Sequence, residues 1–295
     1  MKLEHRADRA GRLSGFLKGE LQMSTGLMNR LKWNGGLLVN GTPARTNHPV
    51  EPGDVITVLL DEPEPDYPAQ DLPLDIRYED EDILVVDKPA GMLIHPSRHR
   101  NTGTLANAVA GYYRGTGQSS AFHPATRLDR DTFGLVLLGK NSHIHKRLCE
   151  LHQQGLLQKT YRALVYGAMP QTSGVIDAPI GRLPKPSLLR QVDPEGQPSR
   201  TRYRVLERGE NWSLLELEPL TGRTHQLRVH CAFLGCPILG DPQYGSPESQ
   251  TLSAGLGLTY QQLCAGGLSF PHPTGGEWIH LESALTIPNR IYRQE

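Results

Sequence analysis

The 295-residue sequence predicts an α+β fold, in which a mixed, largely antiparallel central sheet is preceded by a small helical domain. From Arg77 onward, apolar runs bounded by Gly and Pro alternate with only a few helical segments. Strands and helices do not follow each other regularly, as they would in a doubly wound parallel sheet. In addition, an acidic, Pro-rich segment separates about 60 N-terminal residues from the rest of the chain.

The N-terminal part combines a helical periodicity with strand signals. Its apolar side chains at helical spacing are Leu13, Phe16, Leu17, Leu21, Leu27 and Leu31. A strand with a turn is predicted at residues 37–41, and a Pro-Gly turn with a closing strand at residues 50–58. We expect these elements to form a small unit spanning residues 1–61.

The acidic connector begins at Asp61 and ends near Pro73. Its prolines favour an extended form, and it has too few apolar residues to build a core. We therefore predict a linker at residues 62–76 and a second domain at residues 77–295. A long loop within one domain is the alternative, although loops of this length without structure are uncommon.

Charge is distributed unevenly, although the formal net charge is +0. Residues 1–60 carry net +3, residues 61–90 carry net −9 and residues 91–295 carry net +6. Two mildly basic regions are thus masked by the acidic connector, and this pattern is compatible with a nucleic-acid partner.

Apolar runs in the second domain predict its strands. Residues 83–96 have the pattern of a strand, a Pro-Gly turn and a second strand, and residues 135–138 form a continuous apolar strand between glycines. Residues 159–167 alternate like a half-buried strand.

Two helices and two glycine-rich stretches complete this prediction. Helices are predicted at residues 142–154 and after the glycine turn at Gly222. The glycine-rich stretches at residues 111–117 and 255–267 lack the Gly-Lys-Ser/Thr ending of a phosphate loop, and we interpret them as flexible surface segments.

The most informative segment is the charged run of residues 126–131, which directly precedes the apolar strand. Its carboxylates lie at the boundary of the strand, where a reactive Asp could reach a substrate held in a cleft. On charge pattern alone, surface ion pairs are the simpler interpretation, and such pairs contribute roughly 0 to 1 kcal/mol.

Four segments in this order resemble the pseudouridine synthases of the large-subunit ribosomal RNA type. They are Lys88-Pro89-Ala90-Gly91, Arg127-Leu128-Asp129 with Thr132 and Gly134, Lys159 with Tyr161 and Ala163, and Gly222 to His230. The resemblance extends over residues 83–245, and residues 279–285 are also similar. It implies a mixed sheet and the isomerisation of uridines already in RNA, without a cofactor or a metal ion.

The resemblance also implies the roles of four side chains. Asp129 is the catalytic carboxylate, acting on the ribose by attack or by proton abstraction, and Arg228 is its basic partner. Tyr161 stacks on the uracil and could accept its proton, while Arg127 fills the space left by the extruded base. The alternatives are a surface cation for Arg228, an ordinary strand aromatic for Tyr161, and an ion pair with Asp131 for Arg127.

The catalytic loop departs from the family pattern at two positions. Thr126 stands where the family usually has His, and Phe133 stands where it usually has Ser. Thr can still donate and accept a hydrogen bond, and we expect Phe133 to pack beneath the loop.

The N-terminal unit resembles the small RNA-binding domain shared with a small-subunit ribosomal protein, the S-four type, in its Val-Asn-Gly and Gly-Asp endings. Its candidate RNA-binding cations are Arg9, Arg12, Lys18, Arg30 and Lys32. A solvated helix face is the alternative for these charges. The appended domain favours ribosomal RNA over transfer RNA as the partner.

Several other classes of site are disfavoured. Cys231 and Cys236 have no second pair of ligands nearby, and His225 and His230 are five residues apart, so we predict no metal site. The sequence has no apolar run long enough for a membrane span and no secretory leader. We expect a cytoplasmic monomer.

Two rival functions remain. One is a catalytically idle RNA-binding protein that assists ribosome assembly on the same scaffold, which the departures at Thr126 and Phe133 would favour. The other is a glycoside hydrolase that uses Asp129 with Asp131, a chemistry that requires one raised-pKa carboxylic acid and a defined separation between the two groups.

Overall fold

The structure is a computed structural model that describes residues 2–60, 62, 64–97, 100–184 and 186–288. The helices in these residues are α1 Leu13–Gly19, α2 Thr25–Trp33, α3 Leu105–Gly115, α4 Ser142–Gln153, α5 Gln226–Phe233 and α6 Pro247–Gly255. The strands before the connector are β1 Lys2–Arg6, β2 Gly11–Arg12, β3 Leu37–Val39, β4 Thr42–Pro43, β5 Pro49–Val50 and β6 Val55–Leu59. The strands after it are β7 Asp75–Glu79, β8 Ile83–Lys88, β9 His123–Pro124, β10 Phe133–Gly139, β11 Gln158–Tyr166, β12 Ser173–Asp177, β13 Ile180–Arg182, β14 Arg190–Val192, β15 Arg200–Arg208, β16 Trp212–Pro219, β17 Leu263–Pro271 and β18 Trp278–Glu282.

The N-terminal residues form a small sheet with two helices packed on it. The sheet has the order β1-β6-β3-β4, and β2 pairs with β5. An apolar cluster of this unit includes Leu13, Phe16 and Leu17 of α1, and Leu31 of α2. The hydroxyl of Ser24 accepts the N–H of Leu27 and caps α2. The helices and strands predicted between residues 13 and 58 are therefore confirmed.

The central sheet is mixed and largely antiparallel, as predicted. Its strand order is β12-β15-β16-β11-β17-β10-β8-β7, with β18 added to β17 and β9 added to β10. The pairing of β10 with β17 is parallel, whereas the other described pairings are antiparallel. At Gly134 in β10, φ is +107 and an added Cβ would lie 2.4 Å from the carbonyl oxygen of Ala265, so only glycine fits there.

Apolar side chains of β8 point alternately to the two faces of the sheet. Leu84 and Val86 join the apolar cluster that contains α3, whereas Ile83 and Val85 join the cluster that contains α4. Helices on both faces explain why residues 83–86 of β8 and residues 133–138 of β10 are continuous apolar runs without a polar side.

Two predictions about glycine-rich segments are wrong for part of each segment. Gly111 and Gly115 lie in α3, and an added Cβ at Gly111 would lie 1.9 Å from the backbone oxygen of Gln70. Gly266 and Gly267 lie in β17. The glycine at position 111 therefore allows the backbone of Gln70 to pack closely against α3. It does not mark a flexible surface segment.

The strand predicted after the turn at Pro89–Gly91 is also absent from the described residues. The carbonyls of Leu93 and Ile94 instead accept the N–H groups of Leu105 and Ala106 in the first turn of α3. Backbone groups that cap a helix are not available for a sheet, so residues 92–96 are irregular.

Contacts with the second domain fix the connector in place. Glu62 accepts hydrogen bonds from the backbone N–H of Ser142 at 2.8 Å and from its hydroxyl at 2.9 Å. The carbonyl of Pro68 accepts the side-chain amide of Asn107 at 2.8 Å, and the side chain of Gln70 accepts the N–H of Gly103 at 2.6 Å. Asp61 and Pro63 lie outside the described residues.

Among the described residues, no helix has both the length and the apolar character that crossing a bilayer would require.

Candidate active site

Asp129 lies in the loop between β9 and β10, which is held by hydrogen bonds at both ends. The hydroxyl of Thr126 accepts the N–H of Leu137 at 3.0 Å. The N–H of Thr132 donates to the carbonyl of Asp129 at 3.2 Å, and the hydroxyl of Thr132 accepts the amide of Gln261 at 2.5 Å. The loop therefore presents the Asp129 carboxylate, which is 31% exposed, at a fixed position.

Lys88 ties this loop to the Pro-Gly turn after β8. Its side chain is fully buried, and its ammonium donates to the carbonyls of Pro89 at 3.0 Å, Met92 at 2.9 Å and Arg130 at 2.9 Å. Burial lowers the pKa of Lys88 to about 8, while the charges of Asp131 and Asp129 act in the opposite direction. The three donors of an ammonium thus meet three backbone acceptors.

Arg228 in α5 lies opposite Asp129 and is the best-connected side chain of the site. Its guanidinium donates to Asp129 Oδ2 at 3.1 Å, to both oxygens of Asp241 at 2.7 and 2.8 Å, and to Gln243 Oε1 at 2.8 Å. Burial alone would lower the pKa of Arg228, but the hydrogen bond to Asp241 and the charges of Asp241 and Asp129 raise it. The predicted pairing of Arg228 with Asp129 is therefore present, and the surface-cation alternative is wrong, because Arg228 is only 6% exposed.

Gln226 determines where α5 begins. Its side-chain oxygen accepts the hydroxyl of Thr221 and the N–H of Arg223, and its amide donates to the carbonyl of Arg200 and to the hydroxyl of Thr201. These four bonds hold the glycine turn of residues 221–223 against β15, so that Arg228, two residues further along, faces the catalytic loop.

His225 stands at the N-terminus of α5 in a left-handed conformation, with φ 59. Its Nδ1 is 2.8 Å from the hydroxyl of Tyr244, and its Nε2 is 4.0 Å from Asp129 Oδ2. Burial lowers the pKa of His225; Asp129 opposes this shift and Arg228 adds to it. The imidazole thus lies beside the carboxylate without a hydrogen bond to it.

Tyr161 lies in β11, where the pairing with β17 shifts register between Thr160 and Arg162. Such irregularities re-aim side chains and are common beside active sites. Burial raises the pKa of the Tyr161 phenol above its ordinary value, and the charge of Asp129 adds to this shift. A phenol with a raised pKa keeps its proton, which fits packing against a base better than proton abstraction.

Arg127 and Arg130 differ in their partners. Arg130 forms a two-point ion pair with Asp131, at 3.0 and 2.8 Å. Arg127 is exposed, and within the described part of the chain no hydrogen bond or ion pair engages it. The alternative pairing of Arg127 with Asp131 is therefore wrong. Asp131 is already paired, so the carboxylate pair of the glycoside hydrolase alternative has no support.

The two departures from the family pattern are accommodated by local contacts. Thr126 is buried and binds the backbone of β10, as described above. Phe133 is buried, and its ring packs edge-on against the ring of Tyr260, with 6.0 Å between centroids. Neither contact disturbs the pairing of Asp129 with Arg228, so neither supports the idle-scaffold alternative.

The five candidate cations of the N-terminal unit are not equivalent. Arg9 is paired with Glu20 at 2.7 Å, and Lys32 lies over the ring of Trp33. Arg30 donates to the hydroxyl of Ser142 at 3.3 Å and therefore faces the second domain. Arg12 and Lys18 are exposed, and the described residues offer them no hydrogen-bond or ion-pair partner.

Sequence reasoning placed Lys88 in a motif without giving it a role, and it missed Asp241 and Gln243 as parts of the site. A guanidinium has five N–H donors, and Asp129 accepts only one of them. A buried arginine therefore requires further acceptors, but its distance from Asp241 along the chain gives no local signal for this pair. The described residues contain no group of three or more His, Cys, Asp or Glu that could hold a metal ion.

Comparisons with known proteins show which family this chain is similar to. The sequence model of the family described as RNA pseudouridylate synthase matches residues 82–233. An uncharacterized RNA pseudouridine synthase of Chloroflexus aurantiacus is 42% identical over 286 residues, covering 96% of this chain and 89% of that protein. The ribosomal large subunit pseudouridine synthase D of Nitrosomonas europaea is 38% identical over 251 residues, covering 84% and 73%.

A solved structure has a similar fold. The human RNA pseudouridylate synthase domain containing 1 superposes with a TM-score of 0.59 and is 25% identical, covering 75% of this chain and 93% of that one.

Proposed function

Since the chain belongs to the RNA pseudouridylate synthase family, whose members are isomerases that act on RNA, we propose that it converts specific uridines of ribosomal RNA to pseudouridine. Relatives named as ribosomal large subunit pseudouridine synthase D, at 38% identity, support ribosomal RNA as the substrate. The observation that carries the proposal is the contact of 3.1 Å between Asp129 and the buried Arg228.

The reaction detaches uracil at N1 from ribose C1′ and joins C5 of the base to C1′. One proton leaves C5 and one is gained at N1, so the isomerisation balances without a redox step or a cofactor. Asp129 acts at the ribose, either as the nucleophile at C1′ or as a base. Arg228 orients the carboxylate and is itself held by Asp241.

Tyr161 packs against the detached uracil. Its place at the register shift of β11, and the raised pKa of its phenol, support a role as a neutral stacking surface.

Arg127 enters the RNA where the target has been extruded. A uridine within a stacked helix must be flipped out at a cost of a few kcal/mol, and a planar guanidinium can stack on the neighbouring bases. The exposure of Arg127 and its lack of a partner among the described residues support this role.

Residues 1–61 act as an S-four-type RNA-binding domain, residues 62–76 as a linker and residues 77–295 as the catalytic domain. Arg12 and Lys18 contribute to RNA affinity, since both are exposed cations. In this proposal the enzyme works as a monomer in the cytoplasm.

The test is the mapping of pseudouridines in total RNA incubated with the full chain, combined with tritium release from RNA labelled at uridine C5. Asp129→Asn should abolish both signals and leave RNA binding nearly unchanged, because the amide keeps the size of the side chain but cannot act as a nucleophile. Asp131→Asn is the matched control, since that carboxylate is paired with Arg130, and it should stay within about tenfold of the parent. Near-parental activity of Asp129→Asn would place the chemistry on another group.

A further inference from the structure

A cavity of about 310 Å³ lies between the connector and the segment that follows the Pro-Gly turn. Its lining residues are Asp66, Tyr67, His95, Pro96, Ser97 and Asn101. None of these side chains takes part in the chemistry proposed above. The volume falls at the lower end of the range for small-molecule sites.

The connector wall of this cavity is rigidly held. Directly after Tyr67, the carbonyl of Pro68 accepts the side chain of Asn107, and the N–H of Gln70 donates to the carbonyl of Asn107 at 3.0 Å. The close approach of Gln70 to Gly111 adds a packing contact with α3. The backbone directly after Tyr67 is therefore held by α3, although it belongs to the connector.

The opposite wall is fixed by the same helix. The carbonyls of Leu93 and Ile94 cap α3, and His95 follows directly. The ring of His95 packs edge-on against Phe122, with 5.1 Å between centroids and 83° between planes. His95 is nevertheless exposed, so part of its ring remains available to a ligand.

One wall of the cavity belongs to a segment that Lys88 joins to the catalytic loop. Lys88 binds the carbonyl of Met92, three residues before His95, and the carbonyl of Arg130, one residue after Asp129. The charge of Arg127 also reaches His95: burial is the main cause that lowers the pKa of this imidazole, and Arg127 adds to the shift. The wall of the cavity that carries His95 is thus tied to the loop that carries Arg127.

The lining chemistry suits an unpaired nucleobase better than a phosphate. Tyr67 and His95 offer aromatic surfaces for stacking, and Asp66, Ser97 and Asn101 offer hydrogen-bonding groups for a base edge. None of the described lining residues is a Lys or an Arg, and the Asp66 carboxylate would repel an anion.

We propose that this cavity binds an unpaired RNA base that flanks the target uridine, and that the connector thereby helps to choose the substrate. This inference rests on the proposed function, because it takes the enzyme's RNA substrate as the source of the base. The acidic connector is then one wall of the substrate site and also the link between two units.

Fluorescence anisotropy of the full chain with labelled single-stranded RNA of about 11 nucleotides, a central uridine flanked by adenosines, tests this inference. Each of the three positions on either side of the uridine is replaced in turn by an abasic residue. The parent should lose about tenfold in affinity at one position or at two adjacent positions, as expected for one stacked base. The double variant Tyr67→Ala, His95→Ala should bind the intact RNA with an affinity lower than that of the parent by a similar factor. Removing the same base should then cause no further loss of affinity in this variant, because the side chains that stack on the base are already gone.

Trp278→Ala is the control, because Trp278 is an exposed aromatic on β18 that stacks with His280 and is absent from the cavity lining. It should behave like the parent with every RNA. If the melting temperature of the double variant falls, the two single variants replace it. Cross-linking from 4-thiouridine at the sensitive position should mark the peptides that contain Tyr67 or His95.

Three results would each overturn the inference. The affinity losses from the double variant and from base removal could add at every position, no position could be more sensitive to base removal than the others, or the protein could fail to bind these RNAs. The assay reads binding alone, so a protein that binds with this coupling but forms no pseudouridine would contradict only the proposed function.

Discussion

Two groups of cations in this protein have opposite surroundings. Lys88 and Arg228 are buried beneath the site, and each is bonded to several acceptors. Arg127 near the site, and Arg12 and Lys18 in the N-terminal unit, are exposed and without a partner among the described residues. The buried group determines the geometry of the site, while the exposed group is available for phosphates and bases.

This difference follows from solvation. A buried charge must be compensated by the protein, so its removal leaves partners unpaired and costs stability. An exposed charge is compensated by water and counterions, so its removal costs little stability but weakens RNA binding, which gains from counterion release. Substitutions in the two groups should therefore separate stability from RNA affinity.

The largest effect is expected for Arg228→Met. It leaves Asp241, which is fully buried, without its cation and should cost about 3 to 5 kcal/mol in the free energy of unfolding. Pseudouridine formation should be lost together with this stability. Arg223→Met is the control, because Arg223 is an exposed side chain that donates to the carbonyl of Pro198. Denaturant titration and tritium release measure both quantities, and normal stability of Arg228→Met would show that Asp241 does not need this partner.

A smaller effect is expected for Lys88→Met. The carbonyls of Pro89, Met92 and Arg130 lose their donor, while a buried charge is also removed, so we expect a net cost of about 2 kcal/mol. Activity should fall as well, since Arg130 directly follows Asp129 in the catalytic loop. Unchanged stability would show that the three carbonyls do not need this ammonium.

The pH dependence of this variant gives an independent check. The pKa of Lys88 is about 8 in the folded chain, against an ordinary value of 10.5, so between these values the unfolded chain binds more protons. The free energy of unfolding of the parent therefore gains a contribution that rises with pH in this window and is absent from Lys88→Met. The stability difference, parent minus variant, should be larger near about pH 10 than near about pH 7. A constant difference would contradict the lowered pKa.

Much of the fold could be predicted because local pattern and tertiary burial agree. The apolar run Leu135–Leu138 is a strand buried on both faces, and the helix predicted at residues 142–154 is α4. Prediction failed where a tertiary contact decided the outcome. The sequence around Gly111 resembles a loop, but Gly111 lies in a helix. Its missing side chain allows the backbone of Gln70 to pack against that helix.

The site was predictable to the extent that its residues lie in motifs. Asp129 and Arg228 are brought together as expected, across 99 positions of sequence. Asp241 and Gln243 were not foreseen, because an Asp-Pro-Gln-Tyr segment has the pattern of a turn and its acceptor role exists only in the folded chain. The catalytic role of Asp129 remains a prediction, because geometry alone does not test it.

Among the substitutions of exposed cations, Arg127→Ala should reduce the function of the enzyme more than substitutions of Arg12 and Lys18. Stability should change by less than about 0.5 kcal/mol, as for a surface substitution. Turnover of a uridine within an RNA helix should fall about tenfold, and turnover of a single-stranded uridine should fall less, because less extrusion is needed. Arg130→Ala is the matched control, since its guanidinium is paired with Asp131. Equal losses on both RNAs would show that Arg127 binds phosphate and does not replace a base.

The smallest effect is expected for the double variant Arg12→Gln, Lys18→Gln. Removing one cation that binds a phosphate should flatten the slope of log affinity against log salt by about 0.7 for single-stranded RNA, so removing two should flatten it by about 1.4. Arg9→Gln is the control: it removes the same charge, but Glu20 at 2.7 Å already neutralises it, so the slope should not change. Anisotropy titrations at several salt concentrations measure the slopes, and melting temperatures check that all variants are folded. If Arg9→Gln flattens the slope as much as a single Arg12→Gln, ion pairing does not decide which cations meet the RNA, and the division between the two groups fails for the N-terminal unit.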